Sequence, residues 1–406
     1  MTELVVLHPA LCDVGGAEVL MVEQATLLAG IGASVRIRTA AYDSAYWSDR
    51  IGSLKVEALA TGVQARRKRT LRSPSDPRMT WLLRGLGGAR VAIAHNYPTS
   101  SALGASGAPI AKIWYCHEPP RSLYPAEASP YLAANVGRAP ERDGPRYYRT
   151  SLNGWFGGLP LIGRRRPARL AADRLGVSRL DAIWANSEFT RDNVRRIYGS
   201  VSVDVVYPTV EPPPVERRSG AARDGLRILT LTRLHAVKNL DTLIEGFAAF
   251  RRTQPRAELH IVGDGPHKAS LERLVAPLGL EGAVRIHGFL PDDDLAALSS
   301  SCDAFACVPL DEPFGMVFPE SMARGLLVLG PNHGGPLEIL DGGRLGEAVD
   351  PLDPEAVADG LFRIARLSNA DADARREAAA SSVKERFSRP ATAERMKLLL
   401  ARHGLG

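Results

Sequence analysis

The chain has 406 residues, 45% of them hydrophobic and 24% charged, with a net charge of +6 at pH 7. That length exceeds one ordinary core and predicts two domains of roughly 200 residues each, with the balance of a soluble globular protein. The four cysteines, Cys12, Cys116, Cys302 and Cys307, include no C-x-x-C pair, which argues against a metal site and for reduced thiols.

No run approaches the roughly 18 to 20 apolar residues of a membrane span. The opening MTELVVLHPA lacks the basic-then-apolar pattern of a signal peptide. A cytoplasmic chain is therefore expected, with any membrane contact peripheral, on the inner face. Its basic runs, RRKRTLR (66–72) and GRRRPAR (163–169), read either as solvated loops or as a surface for anionic lipid head groups or acidic glycans. They lack interleaved aromatics and any recognisable binding motif, so nucleic acid is not an expected partner.

Short β-branched runs alternate with longer helical patterns, the rhythm of βαβ units and parallel sheets. ELVVLHP (3–9) reads as a strand and AEVLMVEQATLLAGIG (17–32) as a helix, followed by the strands SVRIRT (34–39), RVAIAH (90–95) and AKIWYCH (111–117). Residues 118–170, rich in Pro, Gly and Arg, follow neither period. DAIWANSEFTRDNVRRIYG (181–199) is a strand turning into a helix, with Asn186 or Ser187 as its N-cap. YPTVEPPPVERRSGAARDG (207–225), with four prolines and a charge cluster, is the expected linker.

The rhythm then restarts. LRILTLTRL (226–234), ELHIVGDGP (258–266), AVRIHGF (283–289), DAFACVP (303–309) and LLVLGP (326–331) read as strands, with the helix LDTLIEGFAAFRR after the first. The expected organisation is an α/β pair of doubly wound domains. These are a first domain over 1–206, the linker 207–225, a second domain over 226–380, and a charged helix over 381–406 packing back toward the first domain.

Ligands of open parallel sheets sit beyond the carboxyl ends of the strands, so the loops there hold the candidates. In PALCDVGGAE (9–18), Gly15 and Gly16 form either a tight βα turn or a set of backbone N–H donors for an anion at a helix N-terminus. TRLHAVKN (232–239) puts Arg233 and Lys238 in one βα loop, a planar fork and a point charge suited to a diphosphate. VGDGPHK (262–268) turns on Gly263, Asp264 and Gly265, where backbone can approach a flat ring or a ribose. In EPFGMVFPE (312–320), a helix from Phe318 onward places Glu320 in its first turn and Glu312 in the loop before it. Pro and Gly there turn the amides of Phe314, Gly315 and Met316 toward a ligand, and Glu320 is placed to accept from ribose hydroxyls.

The combination of TRL…KN, VGDG, HGF, EPFGMVFPESMARG and NHGGPLEIL resembles the donor domain of the retaining glycosyltransferases of family four. ANSEFT and VVYPTVEP resemble the signatures that end that family's first domain, and VGGAE resembles its acceptor-side glycine loop. The likeness covers nearly the whole chain apart from 40–85 and 120–175, and its most specific part is E-x(7)-E with the preceding Arg/Lys pair. It implies the GT-B fold, two Rossmann-like domains facing across a cleft, and transfer of a sugar from a nucleotide diphosphate with retention, without metal or other cofactor. It also implies that Arg233 and Lys238 hold the diphosphate, Glu312 the hydroxyls of the transferred sugar and Glu320 the ribose, with His117 of YCHEPPR near the reacting sugar. Arg233, Lys238, Glu312 and His117 form the implied catalytic set. Gly15, Gly16, Gly263, Asp264, Gly265, His287, Phe314, Gly315, Met316 and Val317 complete the donor-binding candidates.

No carboxylate nucleophile stands out, so front-face attack by the acceptor is the expected route to retention. YCHEPPR and PRYYRTSLNGWFGG (145–158) are similar to mannosyltransferases of polysaccharide and lipid-linked glycan assembly, which favours GDP-mannose as donor ahead of UDP-sugars. The expected acceptor is a glycan, a lipid-linked sugar or a small molecule. Two alternatives stay open. A nucleotide-sugar epimerase of similar build would release a changed sugar nucleotide without any acceptor. A non-catalytic sugar-nucleotide binding protein would not require Arg233, Lys238, Glu312 and His117 together.

Overall fold

Strands covered by helices on both faces must be apolar at successive positions, and the chain's runs are of that kind. The computed structural model describes residues 3–12, 15–62, 64–65, 73–135, 138, 160–199, 201–210 and 225–402, with the side chains of 160–166 outside this set. The basic run 66–72, the aromatic stretch 145–158 and most of the expected linker lie outside the described residues, as do the side chains of most of GRRRPAR. Among those described, no helix is long and apolar enough to cross a membrane. All four cysteines are buried, and none is in a disulfide.

The chain divides into two compact units. The first comprises Met1–Ala128, Gly157–Thr209 and Ser388–Gly406. Its sheet is built from β1 (Glu3–His8), β2 (Ser34–Tyr42), β3 (Lys55–Thr61), β4 (Val91–His95), β5 (Ala111–Cys116), β6 (Ala182–Ala185) and β7 (Val203–Val205). The strands are parallel, in the order β3-β2-β1-β4-β5-β6-β7. Alternate side chains feed opposite faces. Leu4 and Val6 pack with Leu20, Met21 and Leu28 of the helix Gly16–Gly30 and with Met396 and Leu399 of the last helix, Arg389–Ala401. Val5 and Leu7 pack instead with Leu86, Ala92 and Leu103. Of the two N-cap candidates after β6, Ser187 is the cap, its Oγ accepting from the Thr190 N–H at 2.9 Å.

The second unit comprises Ser129–Phe156 and Val210–Phe387. Its strands are β8 (Arg227–Leu231), β9 (Glu258–Val262), β10 (Val284–Gly288), β11 (Ala304–Ala306), β12 (Leu327–Pro331) and β13 (Glu347–Val349), parallel in the order β10-β9-β8-β11-β12-β13. Ile228, Leu259, Ile261 and Leu329 meet Leu243, Phe247 and Phe250 of the helix Leu240–Arg251 and Leu361 of the helix Pro354–Ala365 in one core.

Two segments depart from the expected boundaries. Residues 129–135, expected with the first domain, cluster with the second unit, because Leu132 packs with Ala236, Leu310 and Leu352 there. The helix Asn369–Phe387 runs past 380 as part of the second unit, and the chain crosses to the first at Ser388.

Each sheet has one place where chain order reverses direction, between β1 and β4 in the first and between β8 and β11 in the second. Loops leaving neighbouring strands there diverge and open a crevice.

Close backbone approach in the first unit requires glycine at two facing helix positions. A Cβ on Gly104 would stand 1.8 Å from the Gly176 carbonyl oxygen, and one on Gly176 would stand 2.2 Å from that of Ser101. Gly104→Ala should therefore destabilise this unit by about 1–3 kcal/mol, read as a lowered melting temperature. An unchanged melting temperature would show that the two helices separate without cost.

Candidate active site

Lys238 and Glu312 emerge from the two strands at the reversal point of the second unit, Lys238 after β8 and Glu312 after β11. The Lys238 ammonium lies 2.5 Å from Glu312 Oε2, with the two side chains 25% and 17% exposed. Local chemistry fixes both loops. After β8 the chain makes a short turn, Ala236–Lys238, and Asn239 takes a left-handed conformation (φ 55°) that opens the helix Leu240–Arg251. Asn239 is buried, and its amide donates to the carbonyls of Val308 at 3.1 Å and Pro351 at 2.6 Å. The Leu310 N–H donates to the Val237 carbonyl at 3.0 Å, tying the β11 loop to the β8 loop.

Arg233 stands exposed in the same β8 loop. Gly263 and Gly265 hold that loop. A Cβ at either would come within 1.9 Å of the Thr232 carbonyl oxygen or 2.3 Å of that of Leu234, and both glycines have positive φ, at 135° and 159°. The loops are zipped by Thr232 N–H to Val262 O at 3.1 Å, Leu234 N–H to Asp264 O at 2.9 Å and His267 N–H to Leu234 O at 3.0 Å. The glycines thus admit the Arg233 loop itself. Asp264 is exposed, its carboxylate accepting from the Gly265 N–H at 2.8 Å.

The apolar residues between the two glutamates are anchors. Phe314 is buried edge-on against Phe387, centroids 5.4 Å apart, and Phe318 is buried edge-on against Phe305 at 5.5 Å. Gly315 turns with φ 91°, where a Cβ would meet the Phe318 ring at 2.8 Å. Val317–Ala323 is a helix, so the amides of Gly315, Met316 and Val317 stand at its open end and Glu320 lies in its first turn. Glu320 also lies 3.7 Å from Arg324, one turn on. From the other side, the Gly335 N–H donates to the Glu312 carbonyl at 2.9 Å.

Cys307 adjoins this loop, but burial pushes its thiol up to about 12, so it keeps its proton and is no nucleophile. His287 lies on β10, bonded through Nε2 to His260 Nδ1 at 3.0 Å, with burial as the main cause of its lowered pKa.

Gly15, Gly16 and His117 belong to the first unit. Gly15 is extended and precedes the helix Gly16–Gly30, while a Cβ at Gly16 would meet nothing within 4 Å. Strain does not require glycine at 15, and crowding does not require it at 16. His117 follows β5, and its Nε2 lies 3.0 Å from Nδ1 of His95 at the end of β4. At the end of β1, His8 Nε2 lies 3.1 Å from the Asn96 amide and His8 Nδ1 accepts from the Ala10 N–H at 3.2 Å. Three imidazoles thus crown three adjacent strands. Burial pushes His117 down to about 3 and His8 to about 4, and depresses His95 for the same reason.

Sequence reasoning gave no role to Asp311, His333 or Tyr131. His333 is the second residue of NHGGPLEIL, a signal that was available. A left-handed Asp311 and a Tyr131 inside an irregular stretch carry none.

Two parallel-sheet α/β units, of seven and six strands, are the architecture of the GT-B class. The Glycosyl transferase 4-like domain family matches residues 15–209 and the Glycosyl transferases group 1 family matches residues 215–381, and the chain belongs to these glycosyltransferases. It is 30% identical over 241 residues to a GDP-mannose-dependent alpha-(1-6)-phosphatidylinositol monomannoside mannosyltransferase of Mycolicibacterium smegmatis, a match covering 55% of this chain and 62% of that one. It is 29% identical over 184 residues to a mannosylfructose-phosphate synthase of Agrobacterium fabrum, covering 43% and 40%. The chain thus spans about half the length of the curated relatives it matches. Among solved structures, Anabaena Alr3699/HepE in complex with UDP has a TM-score of 0.72 at 16% identity, covering 99% of this chain and 100% of that one. Sucrose-phosphate synthase from Thermosynechococcus elongatus has a TM-score of 0.74 at 17% identity, covering 99% of each. These two show the fold.

The depressed histidines link pH to stability. Unfolded imidazoles take up protons near pH 6.5, whereas His8 and His117 resist until about 4 and 3. Between those values the unfolded chain binds more protons, so stability falls as pH drops below about 6.5 and keeps falling toward 3. His117→Asn should flatten the dependence of melting temperature on pH between 6.5 and 4. A slope equal to the wild type's would mean the imidazole is not held neutral.

Proposed function

We propose that this chain transfers a sugar from a nucleotide diphosphate donor to a hydroxyl acceptor with retention and without a metal, GDP-mannose being the favoured donor and UDP-sugars next. The observation that carries this reading is the Lys238–Glu312 pair at the reversal point of the second sheet, with Arg233 in the same loop as Lys238. The GDP-mannose-dependent relatives and the UDP-bound structural neighbour support it.

When the bond from the anomeric carbon to the β-phosphate oxygen breaks, its electron pair leaves on the phosphate and the sugar becomes oxocarbenium-like. Arg233 and Lys238 stabilise that negative charge, helped by the amides at the start of the helix Val317–Ala323. An ammonium carries three donors, so a bond to Glu312 and one to a phosphate oxygen are compatible. Glu312 accepts from hydroxyls of the transferred sugar and Glu320 from those of the ribose. With Cys307 protonated and Glu312 held by Lys238, attack falls to the acceptor on the face the phosphate leaves. The acceptor oxygen bonds to the anomeric carbon and its proton passes to the departing phosphate oxygen, which gives retention. A neutral His117 suits hydrogen bonding to a hydroxyl and not the carrying of charge. The acceptor is a glycan, a lipid-linked sugar or a small molecule. The basic runs 66–72 and 163–169 favour one presented at an anionic membrane surface.

Lys238→Ala and Arg233→Ala should each lower kcat/KM on the order of 100-fold or more with folding intact, because each removes a charge matched to one that grows in the transition state. Wild-type turnover in either variant would remove that residue from the site. Activity should also persist in excess EDTA, since the two cations occupy the role a metal would take on the phosphate. Loss of activity in chelator, restored by Mg²⁺ or Mn²⁺, would contradict this account of the phosphate site.

A further inference from the structure

Asp311, the residue immediately before Glu312, is 1% exposed and has a backbone φ of 49°, a left-handed conformation uncommon outside glycine. Its surroundings explain how that conformation is held. The Asp311 carboxylate accepts from the N–H groups of Tyr131 at 3.0 Å and Leu132 at 2.9 Å, capping the first turn of the helix Pro130–Asn135 from 180 residues away in the chain. The N–H of Asp311 donates to His333 Nε2 at 3.0 Å. That bond makes Nε2 the acceptor and puts the ring proton on Nδ1, which is buried with no hydrogen-bond partner.

Tyr131 covers the same imidazole. Its ring lies on that of His333, centroids 3.7 Å apart and planes 5° from parallel. The Tyr131 hydroxyl donates to Asp350 Oδ1 at 2.6 Å, and Arg138 reaches Asp350 Oδ2 at 2.5 Å. Beside them, Leu132 packs with Ala236 and Leu310, one from each of the loops that carry Lys238 and Glu312. A stretch of chain distant in sequence from the rest of its unit is therefore fastened to the residue that sets the direction in which Glu312 leaves the backbone.

We propose that Asp311, Tyr131 and His333 are positioning residues for Glu312, and that the segment 129–135, with Arg138, acts as a clamp on the carboxylate that holds the transferred sugar. The proposal rests on the reading of Glu312 given above and adds the device that fixes it. The physical need is plain: displacing a sugar-positioning group by about 1 Å costs on the order of 100-fold in rate. Glu312 sits on a loop, and its own carbonyl is fastened by Gly335. The clamp fixes the residue on its other side.

Substitutions separate the backbone from the carboxylate. Asp311→Gly keeps access to the left-handed turn and removes the two caps, whereas Asp311→Asn keeps the turn and one acceptor. Tyr131→Phe keeps the stack on His333 and loses only the bond to Asp350. Hydrolysis of GDP-mannose and UDP-glucose without acceptor reports kcat and KM, and a melting curve reports folding. Asp311→Gly should lower kcat by about 10- to 100-fold with KM changed less than about 3-fold. Asp311→Asn and Tyr131→Phe should stay within about 5-fold of wild type. The deciding measurement is the double variant: in a Glu312→Gln background, Asp311→Gly should cause no further loss, because it acts through Glu312. Should Asp311→Gly not fold, Tyr131→Ala takes its place in the same cycle with the same expectation. Losses that multiply in the double variant, or wild-type kcat in Asp311→Gly, would overturn the clamp while leaving the glycosyl-transfer reading intact. A folded wild type that consumes neither donor would overturn that reading, and the clamp with it.

Discussion

A single ammonium–carboxylate contact, Lys238 on Glu312 at 2.5 Å, is what the second unit is arranged to present. With both side chains partly exposed, such a pair contributes about 1 kcal/mol or less to folding, so its value lies in geometry rather than stability. Keeping it in place takes several other interactions. Asn239 ties the Lys238 turn to the carbonyls of Val308 and Pro351, Leu310 ties the β11 loop to Val237, and Gly335 fastens the Glu312 carbonyl. All of these lie at the carboxyl ends of β8 and β11, where the order of strands reverses and two loops can carry opposite charges into one crevice.

The greasy composition between Glu312 and Glu320 follows from the same requirement. A loop that must offer two carboxylates and several amides has few polar side chains to spare as anchors. Rings supply them: Phe314 against Phe387 and Phe318 against Phe305, with Gly315 removing the Cβ that would collide with Phe318. The last of these partners, Phe387, ends the helix Asn369–Phe387, so the second unit needs that helix although it lies beyond the final strand. The first unit uses burial differently. Its strand ends carry His8, His95 and His117, whose imidazoles are kept neutral by the apolar sheet beneath them.

Interior strands were legible because burial on both faces writes an apolar residue at every position: LVVLH, VAIAH and IWYC need no context. Three of the four sheet edges were not legible. Lys55–Thr61 mixes charged and apolar residues, and Val203–Val205 and Glu347–Val349 are three residues each, too short to show a period. Among the candidate site residues, Arg233, Lys238, Glu312 and Glu320 were visible as charges beside turn formers. The glycines at 263 and 265 were visible too, but the carbonyls of Thr232 and Leu234 occupy the space they leave. Tyr131 and Asp311 were invisible, because a contact between residues 180 apart leaves no local pattern.

The most direct test of glycosyl transfer with retention is to follow α-configured GDP-mannose and UDP-glucose with the purified chain by proton NMR, without acceptor, before the released sugar mutarotates. The account predicts slow release of the nucleoside diphosphate from at least one donor, with the α-anomer of the sugar appearing first. First appearance of the β-anomer, conversion to a different sugar nucleotide with no nucleoside diphosphate released, or no consumption of either donor would contradict it.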